Sequence, residues 1–203
     1  MIELFVSAFI TFFVVIDPPG CAPIYAGLTA GASAVQRRAM AFRAVGVAAA
    51  ILVVFALVGE PLLHGLGIEL ASFRIAGGIM LFLIALEMVF EKRTQRREDR
   101  AAKVQPEVED VSIFPMAMPM IAGPGSIATT MLLVSRADGV ERTAVVMGAL
   151  AANLALMLVA LLAAGPIMRV LGAKIEAVIT RILGVLLAAL AVQFVIDGVQ
   201  AQL

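Results

Sequence analysis

Six apolar stretches, near residues 2–29, 39–58, 70–90, 112–134, 143–166 and 177–198, occupy most of this 203-residue chain. Each approaches the ~20 residues a helix needs to cross a hydrocarbon core. Hydrophobic residues make up 62% of the chain and charged residues 15%, whereas soluble domains hold about 45–50% and about 25%. A soluble core of this length has no room for so much apolar surface, so the solvent is largely lipid. Lipid leaves the backbone nothing to bond to except itself, which restricts a spanning chain to helices or a closed barrel. Stretches this long select helices. The fold class expected is an all-α membrane protein with six spans. The third span is the weakest, because its uncharged core runs only over 75–86, and it crosses only if Arg74 and Glu87 snorkel or face protein.

Charge removes several function classes. The formal net charge is +0, so no global field points to a nucleic-acid partner. One cysteine, Cys21, and one histidine, His64, give neither an intrachain disulfide nor a transition-metal cluster. No metal and no cofactor are expected. The opening Met-Ile-Glu carries no positive leader, so the first apolar stretch is read as retained structure. The long polar stretch EKRTQRREDRAAKVQPEVED, residues 91–110, reads as a loop between two halves. Its side of the membrane collects Arg37, Arg38, Arg43, six basic residues between 92 and 103, Arg169 and Lys174. The other side holds Arg136 and Arg142, with Arg74 and Arg181 near helix ends. The excess of basic residues makes the first side cytoplasmic and places both termini on the non-cytoplasmic side.

The halves resemble one another. A shift of 105 residues lays Pro19-Gly20 on Pro124-Gly125, Pro61 on Pro166 and Gly67 on Gly172. After a two-residue insertion, Glu69 falls on Glu176, Arg74-Ile75 on Arg181-Ile182, and Gly77 on Gly184. Matches at Pro, Gly, Glu and Arg are informative where matches at Leu or Ala would not be. The division expected is 1–90 as one three-helix repeat, 91–110 as a charged cytoplasmic loop and 111–203 as the second repeat. Three spans is an odd number, so the halves cross the membrane in opposite senses, as in many secondary transporters.

The repeat gives a meaning to VVIDPPGCAPIY, residues 14–25, which puts an aspartate, prolines and a glycine inside the first span. MIAGPGSIATT, residues 120–130, does the same at the equivalent place in the fourth. Proline removes a donor and clashes with the preceding turn, and backbone so freed survives in a membrane only when buried in protein or lining a cavity. The first and fourth helices are therefore expected to be discontinuous. Two facing breaks would form a polar mid-membrane site, with half-helix N–H groups suited to an anion and unwound carbonyls suited to an ammonium. Proline kinks that serve packing alone are the competing reading.

The two motifs, DPPGCAPIY and AGPGSIATT, resemble those of the MarC family, which includes the SnatA small neutral amino acid transporters. The resemblance covers essentially the whole chain. It rests on Asp17, Pro18, Gly20 and Pro23 in the first motif and on Ala122, Gly123, Pro124, Gly125, Ser126 and Thr129 in the second. It implies transport of small neutral amino acids such as glycine or alanine, around a site at the broken first and fourth helices, in a bacterial-type inner membrane.

The substrate-binding candidates are accordingly Asp17, Pro18, Pro19, Gly20, Ala122, Gly123, Pro124, Gly125, Ser126 and Thr129. Asp17, whose repeat partner is Ala122, either accepts a substrate ammonium, carries a coupled proton, or caps the following half-helix. Thr129 and Thr130 either face the cavity or bond their own backbone. Glu69, Arg74, Glu176 and Arg181 are candidates for ion pairs or gates at the membrane edge. Asn153 and Gln193 need interhelical partners, and Asp197 reads as a solvated helix end. The function expected is a secondary transporter working by alternating access on a small-molecule substrate, with membrane lipid around it. The alternatives are a channel for another small solute or ion, and a regulatory membrane protein without transport. An enzyme is not expected, since Cys21 and His64 lie nearly a span apart and no metal-ligand spacing occurs.

Overall fold

A computed structural model describes residues 1–90 and 110–202, apart from the side chains of residues 167–177. The loop expected at 91–110 thus lies, but for Asp110, outside the described residues, and so does the side chain of Glu176. The described residues form helices joined by short turns. The elements are α1 (Ile2–Ile16), α2 (Pro18–Leu28), α3 (Ala34–Gly65), α4 (Leu70–Val89), α5 (Ser112–Ile121), α6 (Pro124–Ser135), α7 (Val140–Leu162) and α8 (Ala164–Gln200). Among the described residues, 5 helical stretches are long and apolar enough to cross a membrane, and 6 if the bent pair α5–α6 counts as one.

Local sequence accounts for the ends of these elements. Ser33 and Gln36 form a reciprocal capping box at the start of α3, with Ser33 N–H donating to Gln36 Oε1 at 2.9 Å and Gln36 N–H donating to Ser33 Oγ at 3.3 Å. Gly67 closes the α3–α4 turn at φ 69° and Gly139 precedes α7 at φ 90°, positions where a side chain would be strained. Two boundaries depart from the sequence expectation. α3 runs through Pro61 to Gly65 instead of stopping near residue 58, and α8 begins at Ala164 instead of 177, so the last span and the turn before it form one 37-residue helix.

The most extensive contact between helices is α4 against α8. They run antiparallel and approach through glycines. A Cβ on Gly78 would stand 2.7 Å from the Ala191 carbonyl oxygen, one on Gly184 would stand 2.9 Å from Met88 Cβ, and one on Gly198 would stand 2.9 Å from the Ala71 carbonyl oxygen. Lipid tails are as apolar as leucine, so membrane helices gain little from hiding hydrophobic surface from one another and associate through close backbone packing instead. The α4–α8 pair therefore ties the N-terminal half to the C-terminal half. α1 packs against α7 and α6, and α3 against α5, α6 and α7, so the broken segments lie between other helices.

This interface predicts a contrast between two glycines. Gly78→Ala is expected to lower stability by about 1–3 kcal/mol through overpacking. Gly148→Ala, at a position with nothing within 4 Å of the added Cβ, is expected to cause no loss. Thermal unfolding of both variants in a neutral detergent measures the difference.

Candidate functional site

The first break is a single residue. Asp17 has φ 60° and ψ 65°, the left-handed region, and ends α1 while starting α2. Its N–H still bonds the Phe13 carbonyl at 2.9 Å, and its own carbonyl accepts from Cys21 N–H at 3.1 Å. Its carboxylate Oδ1 accepts from Gly20 N–H at 3.1 Å, which is an N-cap bond. Pro18 and Pro19 occupy the first turn of α2, where a missing N–H costs nothing. Asp17 is 1% exposed. The break leaves α1 and α2 close enough to collinear to count as one 27-residue span.

The second break is longer. α5 is irregular, with extended backbone inside it at Phe114 and Met118. Each precedes a proline, and proline pushes the residue before it out of the helical region. Ala122 and Gly123 then leave the helix altogether, and α6 departs from α5 at 52°. Only glycine fits at 123, because a Cβ there would lie 2.4 Å from the Pro119 carbonyl oxygen. The distortion thus starts well before the expected 120–125. The pair of prolines at 115 and 119 was the available signal for it.

The breaks share one device. The last carbonyl before each break is that of Ile16 in the first half and Ile121 in the second. Cys21 Sγ donates to the Ile16 carbonyl at 3.7 Å, and Ser126 Oγ donates to the Ile121 carbonyl at 2.6 Å. Both donors reach back five residues, and both pairs are separated by the same 105 positions. Cys21 therefore has a defined role at the break, beyond being a small residue beside it.

Most of the candidates are gathered in the interior. Pro18, Gly20, Ala122, Gly123, Gly125, Ser126 and Thr129 are buried, Pro19 is half-buried and Pro124 is exposed. Gly125 is a packing position, since a Cβ there would lie 2.5 Å from Ile84 Cδ1. Thr130 Oγ1 donates to the Ser126 carbonyl at 2.7 Å, the local bond expected of a threonine in a membrane helix. Thr129 Oγ1 is buried with no hydrogen-bond partner among the described residues, and so is Asn153 Oδ1 on α7. Asn153 Nδ2 donates to the Phe9 carbonyl of α1 at 3.0 Å and to the Ala149 carbonyl at 3.1 Å. Buried polar atoms are nearly always paired, so these two mark places where a further polar group would be accommodated. The two cavities described among these residues lie elsewhere. One is an apolar groove of about 640 Å³ between α1 and α8, lined by Val6, Ile10, Val14, Leu186 and Leu190 among others. The other opens near Arg37 and Arg38.

The edge charges are arranged differently from the expectation. Glu69 is exposed at the start of α4, and no ion pair joins it to Arg74 among the described residues. Arg74 is half-buried and its Nε has no partner among the described residues. Arg181 is exposed on α8. Asp197 is not a solvated end. It pairs with Arg136 at the end of α6, and its other oxygen accepts from Gln193 Nε2 at 2.6 Å. The Arg136 guanidinium also lies 4.6 Å from the centre of the Phe194 ring. On the 91–110 side, Arg43 pairs with Asp110, which accepts from Ser112 N–H at 2.9 Å. The second broken span thus has an ion pair at each end, α5 to α3 and α6 to α8. Both pairs join residues more than sixty positions apart, a separation that local sequence patterns do not reveal.

Comparison with known proteins gives a consistent placement. The family model described as MarC family integral membrane protein matches residues 2–203. The chain is 35% identical over 205 residues to a UPF0056 membrane protein of Methanocaldococcus jannaschii, covering 100% of this chain and 98% of that protein. It is 35% identical over 202 residues to the UPF0056 membrane protein YvbG of Bacillus subtilis, with 98% and 96% covered. It is 32% identical over 194 residues to the UPF0056 membrane protein YhcE of Escherichia coli, with 95% and 90% covered. No solved structure matches the chain.

The Asp17 cap separates two roles by substitution. Asp17→Ala removes the acceptor for Gly20 N–H and is expected to cost about 0.5–2 kcal/mol, while Asp17→Asn keeps an acceptor and is expected to stay near wild type. Thermal unfolding of the two variants gives this comparison.

Proposed function

The chain belongs to the MarC family of integral membrane proteins, and from that premise we propose that it is a secondary transporter of small neutral amino acids such as glycine or alanine. Transport proceeds by alternating access between two inverted three-helix halves, 1–90 and 111–203, with both termini on the non-cytoplasmic side of a bacterial-type inner membrane. The substrate is held between the discontinuous first and fourth helices. The observation that carries this reading is the matched pair of breaks, at which Cys21 and Ser126 bond the carbonyls of Ile16 and Ile121 from positions 105 residues apart. A kink placed for packing alone has no need to recur with the same side-chain bond in both halves.

Residue roles follow from the chemistry on offer. Asn153 Oδ1 and Thr129 Oγ1, buried without partners among the described residues, serve the substrate as the halves rearrange, the first accepting from its ammonium and the second donating to its carboxylate. The first N–H groups of α6 after Pro124 favour the carboxylate end. The small residues at both breaks limit the side chain that can be accepted. Asp17 either couples a proton or acts through the cap alone. The ion pairs Arg43–Asp110 and Arg136–Asp197 brace the two ends of the second broken span against α3 and α8.

The decisive experiment is uptake or counterflow of radiolabelled glycine, alanine and serine by purified protein in liposomes. Saturable flux is expected, with a loss of about tenfold or more for Thr129→Val, which keeps the shape and removes the hydroxyl. Gly125→Leu is unsuitable as a folded control because of the contact with Ile84. Absence of flux for all three amino acids would overturn the substrate assignment. Asp17→Asn transport measured across pH then assigns the acid. Loss of pH dependence makes it the proton carrier, and an unchanged profile makes it the cap.

A further inference from the structure

We propose that the cavity between the ends of α2 and α7 and the starts of α3 and α8 binds the phosphate of an anionic glycerophospholipid. This cavity of about 260 Å³ is lined by Tyr25, Thr29, Arg37, Arg38, Leu161 and Pro166, among others. Its walls divide by chemistry. Arg37 and Arg38 stand on the first turns of α3, beside the capped N-terminus at Ser33. Neither guanidinium has a carboxylate partner among the described residues. The Arg38 guanidinium carbon lies 5.8 Å from the centre of the Phe42 ring, which holds that side chain along its own helix. The opposite wall is the apolar turn from α7 into α8.

The polar groups beneath are already committed. The Tyr25 hydroxyl donates to the Arg37 carbonyl, and Thr29 Oγ1 donates to the Tyr25 carbonyl at 2.7 Å. What the cavity offers is therefore a pair of positive charges over a fixed floor, next to an apolar wall. That combination suits an anion with hydrocarbon attached. A basic pocket between helices at the membrane surface is a recognised form of lipid headgroup site, with each arginine or lysine near the surface worth a measurable share of the affinity. A free phosphate would use the arginines and leave the apolar wall unused. The proposal does not depend on the transport reading.

The chain supplies its own probe. Tyr25 is the single tyrosine and the chain has no tryptophan, so intrinsic fluorescence reports from the cavity wall alone. Full-length protein in a neutral maltoside detergent is titrated with short-chain phosphatidylglycerol, with phosphatidylcholine of the same chain length, and with inorganic phosphate. A saturable change with phosphatidylglycerol is expected, with at most a weak response to the other two. Arg37→Gln/Arg38→Gln is expected to weaken the midpoint about thirtyfold, and Arg38→Gln alone about fivefold. The single variant serves if the double variant does not fold. An equal response to phosphatidylcholine, or variants indistinguishable from wild type, would overturn the site. Phosphate acting at the same concentrations as the lipid would overturn the lipid as its source.

Discussion

A carbonyl that loses its helical partner inside a membrane must find another donor, and much of this structure is arranged around two such carbonyls. Those of Ile16 and Ile121 close the helices on the near side of each break, and Cys21 and Ser126 reach back to them. On the far side, Asp17 takes up the Gly20 N–H, while prolines in the first turns of α2 and α6 remove donors that would otherwise go unused. The breaks persist because these bonds are made within the protein. Lipid could not supply them. The remaining helices shield the broken backbone, and Pro124 is the one break residue at the surface.

The rigid counterpart to the breaks is the α4–α8 pair. Close glycine contacts hold α4 along the second half of α8, whereas the broken spans meet their neighbours through alanines and hydroxyls, with an ion pair at each end of the second. A transporter of the proposed kind needs this division. One pair of helices keeps the halves in register, and the segments around the substrate change conformation at positions where few hydrogen bonds must break.

The fold was legible in the sequence wherever a single physical rule acted on contiguous residues. Hydropathy located the spans. It was less legible where two rules competed. The spans expected to end near 58 and to begin near 177 run further, α3 through Pro61 to Gly65 and α8 from Ala164 through Pro166. The distortion at Pro115 and Pro119 lies beside the Ala-Gly-Pro motif, which is the stronger local signal. Within the candidate site, the capping role of Asp17 was among the readings its residue type allowed. The bonds of Cys21 and the pairing of Asp197 with Arg136 depend on three-dimensional placement, and a cysteine among apolar residues or an aspartate near a helix end gives no local hint of either. Gly125 has the residue type of an open site and the surroundings of a packed one.

The left-handed backbone at Asp17 bears on how this position would read across a set of relatives. Two requirements meet there, a φ of 60° and an acceptor for the Gly20 N–H. Asparagine and aspartate are the residues that satisfy both with little strain. A glycine meets the first requirement alone, and a serine the second. The permitted alphabet at this site is therefore nearly closed by backbone shape before any chemistry acts on it. A preference for aspartate over asparagine would be the informative quantity, since the two share the geometry and differ only in the ability to hold a charge.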